Sequence, residues 1–317
     1  MNSYKEGRAV FMGTPSFVIP VLSALLDSDY DVVGVYTQPD RPIGRNKRLA
    51  APPVKQFAIE MGLRVFQPTT LKNEGTQRKL ESLCPDIVIV AAYRLFLPSK
   101  ILRTPKWGCL NIHPSLLPRY RGSSPVVEAI LNGDRSTGVT VMKIDEGMDT
   151  GPVIAQQNTL IDDQESATEL TVRLFEQGAS LLMKILPDWT AGSIQGISQD
   201  ESKATLTTRL TKGNGEIDWT NDAETIARQI RAYKTWPGTY TRWNGKQLKI
   251  IEASVSKELS LDSSGPGRVA SLIDGGVGVI TGHGVIKLRS LQLEGKREVA
   301  TLDFTLGHSA FIGSTLG

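Results

Sequence analysis

The sequence predicts an α/β chain in two parts: a parallel sheet covered by helices, then a small β-barrel. Three observations carry this. Apolar strand-like runs alternate with helix-like runs over the first 190 or so residues, the pattern of a sheet with helices on both faces. A polar stretch, Ala191 to Lys203, with Gly192, Gly196, Ser193, Ser198 and Ser202, then interrupts that pattern and reads as a linker. Beyond it, short runs punctuated by glycine replace the alternation, as in small barrels.

Element by element, Ala9 to Met12 reads as a buried strand. Phe17 to Leu26 reads as a helix that tolerates Pro20 because it falls in the first turn. Asp31 to Thr37 is a Val-rich strand, Val54 to Met61 has helical periodicity, and Thr76 to Cys84 is a helix leading into the strand Asp86 to Ala92. The strand Gly108 to His113, a helix around Val126 to Leu131 and the strand Thr137 to Ile144 follow. Pro152 to Gln157 is placed to pair with that last strand as a hairpin. Thr168 to Leu186 is the longest amphipathic helix. After the linker come one helix, Ala223 to Ala232, and short strands at Gly238–Trp243, Gln247–Ala253, Gly267–Leu272, Gly276–Thr281 and Gly284–Leu291. The expected fold is therefore a Rossmann-like parallel-sheet domain followed by a small OB-like β-barrel domain.

Composition narrows the function classes. With 40% hydrophobic and 22% charged residues the chain is ordinary for a soluble globular protein, and no apolar run approaches the roughly 20 residues of a membrane span. The polar start, Met1 to Arg8, lacks signal-peptide architecture, so a cytoplasmic location and no membrane partner are expected. A net charge of +3 excludes a generally basic nucleic-acid coat; any polyanion site must be local. The two cysteines, Cys84 and Cys109, sit in strand-like or buried contexts and read as buried free thiols. No Cys/His spacing suggests a metal site, so none is expected.

Three residues concentrate the chemistry. Asn111 and His113 alternate at the end of an apolar strand, which puts both on one side at the carboxyl edge of the sheet, where ligands of such folds bind. Asp149 follows the next strand in Asp145-Glu146-Gly147-Met148-Asp149-Thr150-Gly151, a segment whose glycines suit unusual backbone geometry. An amide, an imidazole and a carboxylate that converge suit acyl transfer without a protein nucleophile. The amide and the imidazolium can hold a developing oxyanion, while the carboxylate orients the ring. Ser115-Leu116-Leu117-Pro118 continues from His113 as a stiff, partly apolar loop able to line a slot for a flat ligand. Gly13 in Gly13-Thr14-Pro15-Ser16 is a tight turn after the first strand. It does not belong to a Gly-x-Gly-x-x-Gly cradle, so its role is either a simple turn or substrate lining. The loop Gln38 to Leu49 carries Arg41, Arg45, Lys47 and Arg48 and reads as a solvated loop or as a phosphate-contacting arm. Farther on, Arg228, Arg231, Lys234, Arg242, Lys246 and Lys249 interleave with Tyr233, Trp236, Tyr240 and Trp243. That pattern is either a nucleic-acid face or solvated charge over core aromatics.

On these residues the chain resembles the folate-dependent formyltransferases. Met12-Gly13-Thr14-Pro15, Asn111-Ile112-His113, Ser115-Leu116-Leu117-Pro118-Arg119-Tyr120-Arg121-Gly122 and the Asp145–Gly151 segment carry the likeness. It extends through Ile217-Asp218-Trp219, Ile230-Arg231-Ala232, Trp236-Pro237 and Gly307–Gly313, nearly end to end. The basic loop and the C-terminal part narrow it to the branch acting on tRNA. The resemblance implies transfer of a formyl group from 10-formyltetrahydrofolate, the co-substrate, to the amino group of methionine on initiator methionyl-tRNA, by a monomer. It implies Asn111, His113 and Asp149 as the catalytic set, Ser115, Leu116, Leu117 and Pro118 as folate contacts and Arg45 as a contact of the tRNA acceptor end, beside the substrate candidates Gly13, Arg41, Lys47 and Arg48 read from the residues themselves. It also implies a formyltransferase catalytic domain over 1–190, a linker over 191–207 and a tRNA-binding β-barrel over 208–317.

Two positions depart from the pattern. The family commonly has Ala-Tyr-Gly where this chain has Ala92-Tyr93-Arg94, and Pro114 follows His113. Three alternatives frame the expectation. A formyltransferase acting on an amino-sugar nucleotide would share the triad but has no use for Arg41, Arg45, Lys47 and Arg48. A hydrolase releasing formate needs no macromolecular site. A non-catalytic tRNA-binding protein on a decayed scaffold is at odds with an intact Asn111, His113 and Asp149.

Overall fold

The computed structural model describes residues 6–43, 48–257 and 265–317. In chain order, the first elements are β1 (Gly7–Gly13), α1 (Ile19–Leu26), β2 (Tyr30–Tyr36), β3 (Arg41–Ile43), β4 (Arg48–Ala50), α2 (Pro53–Glu60), β5 (Val65–Phe66), α3 (Glu74–Glu81), β6 (Ile87–Ala91) and α4 (Ser99–Leu102). There follow β7 (Cys109–His113), α5 (Pro125–Leu131), β8 (Ser136–Lys143), β9 (Val153–Leu160) and α6 (Ala167–Ala191). The C-terminal elements are α7 (Ala223–Ala232), β10 (Thr239–Trp243), β11 (Lys246–Val255), β12 (Val269–Ser271), β13 (Val277–Ile280), β14 (Val285–Leu293), β15 (Val299–Ala300) and α8 (Thr301–Gly307).

Strands β5-β2-β1-β6-β7-β8-β9 form one sheet in that order. The first five are parallel, and β8 and β9 add as antiparallel strands at the β7 edge. β1 and β6 are buried along nearly their whole length, as strands covered on both faces must be. The chain leaves β1 toward β2 and returns to its other side as β6, which makes this the switch in strand order. The predicted parallel sheet is thus present, and the expected hairpin partner of β8 is β9, which begins at Val153. α6 runs past the predicted end at Leu186 and through Pro187. Pro187 forfeits one helical hydrogen bond, but the last turn is anchored from outside. Trp189 Nε1 donates to the Trp107 carbonyl at 3.0 Å, and the hydroxyls of Tyr30 and Thr190 bond at 2.9 Å.

Chain contacts group residues 1–125, 136–160 and 171–207 into one compact unit, and 126–135, 161–170 and 208–317 into a second. The stretches 126–135 and 161–170 join the C-terminal unit for a visible reason. Glu128 accepts from the Thr208 amide and hydroxyl, and Arg231 donates to the Glu165 carbonyl. In that unit β10-β11-β14-β13-β12 form a curled antiparallel sheet with β15 on β14. Residues Ser314 to Gly317 join its two edges. Val269 N donates to Ser314 O and Leu316 N to Gly267 O on the β12 side, and Gly317 N donates to Arg242 O on β10. α7 packs Ile226 and Ile230 into the core with Leu248, Ile250, Val279 and Leu288, and Asp222 caps it by accepting from the Thr225 amide. α8, absent from the sequence expectation, contributes Phe304 to an aromatic group with Trp243 and Phe311.

The cysteines part ways. Cys109 is buried, and burial pushes its thiol up to about 12. Cys84 is exposed, against the expectation. It follows α3 with φ 45, a left-handed residue that turns the chain out before Pro85. Among the described residues no helix is long and apolar enough to cross a membrane.

Candidate active site

β7 is the last parallel strand before the sheet reverses, and its alternation decides what faces the site. Leu110 and Ile112 point to one side, where Gly178 on α6 lets Ile112 approach closely. Asn111 and His113 point to the other, one pleat repeat or roughly 6.7 Å apart along the strand. His113 is 4% exposed. Its Nε2 donates to the Tyr120 carbonyl at 2.9 Å, and its Nδ1 lies 3.7 Å from Asp149 Oδ2. Nε2 is thus committed to a carbonyl, while Nδ1 faces a carboxylate that stands just beyond hydrogen-bond reach. Asn111 is half-buried, and its side chain makes no hydrogen bond among the described residues, which leaves its NH2 uncommitted.

The structure brings Asp149 to His113 from a separate loop. Gly122 N donates to Asp149 Oδ2 at 2.8 Å and aims the carboxylate. Gly122 has φ 113, and a Cβ there would strike the Thr207 hydroxyl, so glycine is required. The unusual backbone geometry expected of the flanking glycines belongs to Asp149 itself, with φ 55. Gly151 serves close approach, since a Cβ there would collide with the Lys143 carbonyl. Beyond Gly122, Arg121 is buried and held by Glu201 at 2.7 Å. Glu201 raises the guanidinium pKa, while Arg121 holds the Glu201 carboxyl below its ordinary range.

The Ser115–Pro118 loop is pinned from below by Thr140. Its hydroxyl donates to Ser115 O at 2.6 Å and accepts from Leu117 N at 3.2 Å. Every carbonyl from Ser115 to Arg119 already accepts a hydrogen bond, from Thr140, Arg119 N, Gln156, Thr205 N and Ser115 Oγ in turn. Ser115 and Leu117 are buried, whereas Leu116 and Pro118 are half-exposed. The loop thus offers a ligand a rigid wall, with Leu116 and Pro118 as its accessible side chains.

Gly13 ends β1 on the same sheet edge but is buried. A Cβ there would meet Phe11 and Val18, so packing alone accounts for it. Arg41 and Arg48 lie on the stem of the β3–β4 ribbon, both exposed, with Arg41 on Gln38 Oε1 at 3.2 Å. Arg45 and Lys47 lie outside the described residues. Arg94 is exposed and has φ 72, the left-handed region that favours glycine. An arginine there costs about 1–2 kcal/mol of backbone strain, and its side chain projects outward without an ion pair among the described residues.

In the C-terminal unit the basic–aromatic cluster splits. Tyr233 and Trp243 are core, and Lys234 pairs with Glu252. Arg228 and Arg231 line a cavity of about 310 Å³ that also holds Asp162, Asp163 and Glu224. Tyr240 sits opposite Lys249 and Arg242 opposite Gln247, on the outer face of the β10–β11 ribbon.

Sequence reasoning passed over Tyr120, Thr205, Gln199, Arg121 and Glu201. Thr205, Gln199 and Glu201 contact the site's loops from a stretch whose small polar composition says only that it is not a core element.

An amide, a clamped imidazole and an aimed carboxylate at the carboxyl edge of an α/β sheet, followed by a curled antiparallel unit, define a class of group-transfer protein. The comparisons agree: residues 7–186 match the Formyl transferase family and 209–309 its Formyl transferase, C-terminal domain, and the chain belongs to this family. It is 43% identical over 300 residues to a methionyl-tRNA formyltransferase of Marinobacter nauticus, covering 95% of this chain and 96% of the relative. A methionyl-tRNA formyltransferase of Roseiflexus sp. is 44% identical over 311 residues, covering 98% and 95%. The fold is also that of an N-formyltransferase from Helicobacter canadensis solved with folinic acid and dTDP-3-aminofucose. That structure has a TM-score of 0.63 at 18% identity and covers 88% of this chain and 98% of that one.

Proposed function

We propose that this protein formylates the α-amino group of methionine on initiator methionyl-tRNA, with 10-formyltetrahydrofolate as formyl donor, acting as a monomer in the cytoplasm. The observation that carries the chemistry is the pairing of an uncommitted Asn111 amide with a His113 ring whose Nε2 is bonded to the Tyr120 carbonyl and whose Nδ1 is left open beside Asp149. The amine nitrogen attacks the formyl carbon and forms the new C–N bond, and the carbonyl electrons move to oxygen. Asn111 NH2 and His113 Nδ1–H hold that oxyanion. Nδ1 is the ring nitrogen with room for it, since 3.7 Å to Asp149 is beyond hydrogen-bond reach. Asp149, facing the ring across that gap, accepts the amine's proton through water. Collapse breaks the bond from the formyl carbon to the folate nitrogen, which leaves with a proton from His113 or water. A free α-amine, with a pKa of about 8, has a useful neutral fraction at pH 7. Leu116 and Pro118 wall the folate site, and Arg41 and Arg48 on the β3–β4 ribbon meet the tRNA backbone, a role that by sequence also falls to Arg45 and Lys47.

The test is formyl transfer from 10-formyltetrahydrofolate to methionyl initiator tRNA, with an elongator methionyl-tRNA in parallel. The expected result is formylation of the initiator alone. Transfer to neither, with folate still bound, would overturn the reading in favour of an amino-sugar acceptor.

A further inference from the structure

The geometry points to Gln199 as a positioning residue for Asp149, an inference that rests on the reading of Asp149 as one of the reacting groups. Gln199 Nε2 donates to the Asp149 carbonyl at 2.8 Å and to the Gly151 carbonyl at 2.7 Å, so both its hydrogens are spent on the backbone around Asp149. Its Oε1 accepts from Arg121 Nε at 3.0 Å and Nη2 at 2.9 Å. Arg121, buried, completes its fork on Glu201 with bonds of 2.9 and 2.7 Å. The orientation of the Gln199 amide is therefore fixed, because the guanidinium can face only its oxygen.

What this amide holds is a strained residue. Asp149 sits at φ 55, in the left-handed region that residues other than glycine visit uncommonly, and the aim of its carboxylate follows from that backbone. Anchors on the carbonyls of 149 and 151 keep the peptides on both sides in place. The same stretch of chain also fastens the other half of the site. Tyr120 N donates to Thr205 Oγ1 at 2.8 Å, and the Tyr120 carbonyl is the acceptor that orients His113. Arg121 N donates to Thr205 O and Thr207 N to Arg121 O, both at 2.8 Å. One segment, 197–207, thus ties together the loop that clamps the imidazole and the loop that presents the carboxylate. Closing the sheet edge does not need Gln199, since Ile197 and Val153 already exchange both backbone bonds at 2.7 and 2.8 Å.

The test uses the full chain with 10-formyltetrahydrofolate and methionyl initiator tRNA. Gln199→Glu keeps an acceptor on Arg121 but turns an oxygen against two carbonyls; Gln199→Met removes both halves. Both are expected to lower kcat by roughly 10–100-fold, the scale seen when metal ligands lose their outer hydrogen-bond partners. The folate KM should stay within about threefold of wild type and the pH profile of kcat should shift. In an Asp149→Asn background either change is expected to cost less than about threefold more, because residues acting as a unit are not additive. Wild-type kcat and pH profile for Gln199→Glu would overturn the assignment, as would an undiminished penalty in the Asp149→Asn background. Gln199→Glu retains the Arg121 clamp, so it decides the matter should Gln199→Met not fold. If Asp149→Asn alone kept wild-type turnover and pH profile, the catalytic reading would fail and the positioning role with it.

Discussion

Two segments of the chain hold the site, and they do so by opposite means. β7 is almost wholly buried and laddered on both sides, to β6 and to β8. The 197–207 segment is mostly exposed, leaves Ile197 and Leu206 in solvent, and holds its place by side-chain bonds to other loops. A buried strand fixes where a group sits to within the tolerance of a packed core. Side-chain bonds to backbone carbonyls fix how a loop is turned, at little cost in buried area. The difference teaches that location and orientation are supplied separately here, so the two are separable by mutation.

The largest expected effect falls on a group that the proposed mechanism sets against the reacting atoms. Asn111→Ala removes one proposed oxyanion donor and should lower kcat by roughly 100–1,000-fold, about 3–4 kcal/mol of barrier. Folate binding and melting temperature should stay close to wild type, since the Asn111 side chain makes no hydrogen bond among the described residues. Steady-state kinetics with a folate binding titration checks this, and unchanged kcat would remove Asn111 from the mechanism.

A smaller change sharpens the contrast from the other side. Ile112 is 2% exposed and packs toward Gly178. Ile112→Val removes one methylene and should cost about 0.5–1.5 kcal/mol of stability. Thermal unfolding should shift by a few degrees while kcat holds. Substitutions at Gln199 should do the reverse. If Ile112→Val lowered kcat as much as Gln199→Glu, location and orientation would not be separable.

The same division explains what the sequence disclosed. β7, β6 and α7 announce themselves because burial imposes a period, and Asn111 and His113 could be placed on one face by counting. Asp149 was reachable because it follows a strand and stands among glycines, although the strained φ is its own. The basic loop was visible as charge, but its β3–β4 stem was not, since three residues a side carry no periodic signal. The antiparallel addition of β8 was equally hidden, because a buried strand reads the same in either direction. The bracing segment was the hardest case. Gln199, Glu201 and Thr205 act through single hydrogen bonds to distant backbone, and residues chosen for that purpose look like a linker.

The smallest effect concerns the far end of the brace, where pH can loosen it without mutation. Arg121 holds the Glu201 carboxyl below its ordinary range, so folding favours the ionised form. The sign follows from linkage: this stabilisation is complete above the unfolded pKa, about 4.3 for a glutamate, and is lost as pH falls through the lower folded value. Asp40, Asp200 and Asp218 are also held low, so acid destabilisation of wild type alone does not isolate the brace. The difference between wild type and Glu201→Gln does. Above about pH 5 wild type should melt slightly higher, and the two curves should converge as pH falls through the lowered folded value. The glutamate is well exposed, which keeps the gap small. Arg121 retains Gln199 as a partner in the variant, so turnover should fall far less than for Gln199→Glu. A gap that stayed constant with pH would mean that the Arg121–Glu201 pair is geometric rather than electrostatic. A loss of turnover matching Gln199→Glu would move the positioning role from Gln199 to the ion pair behind it.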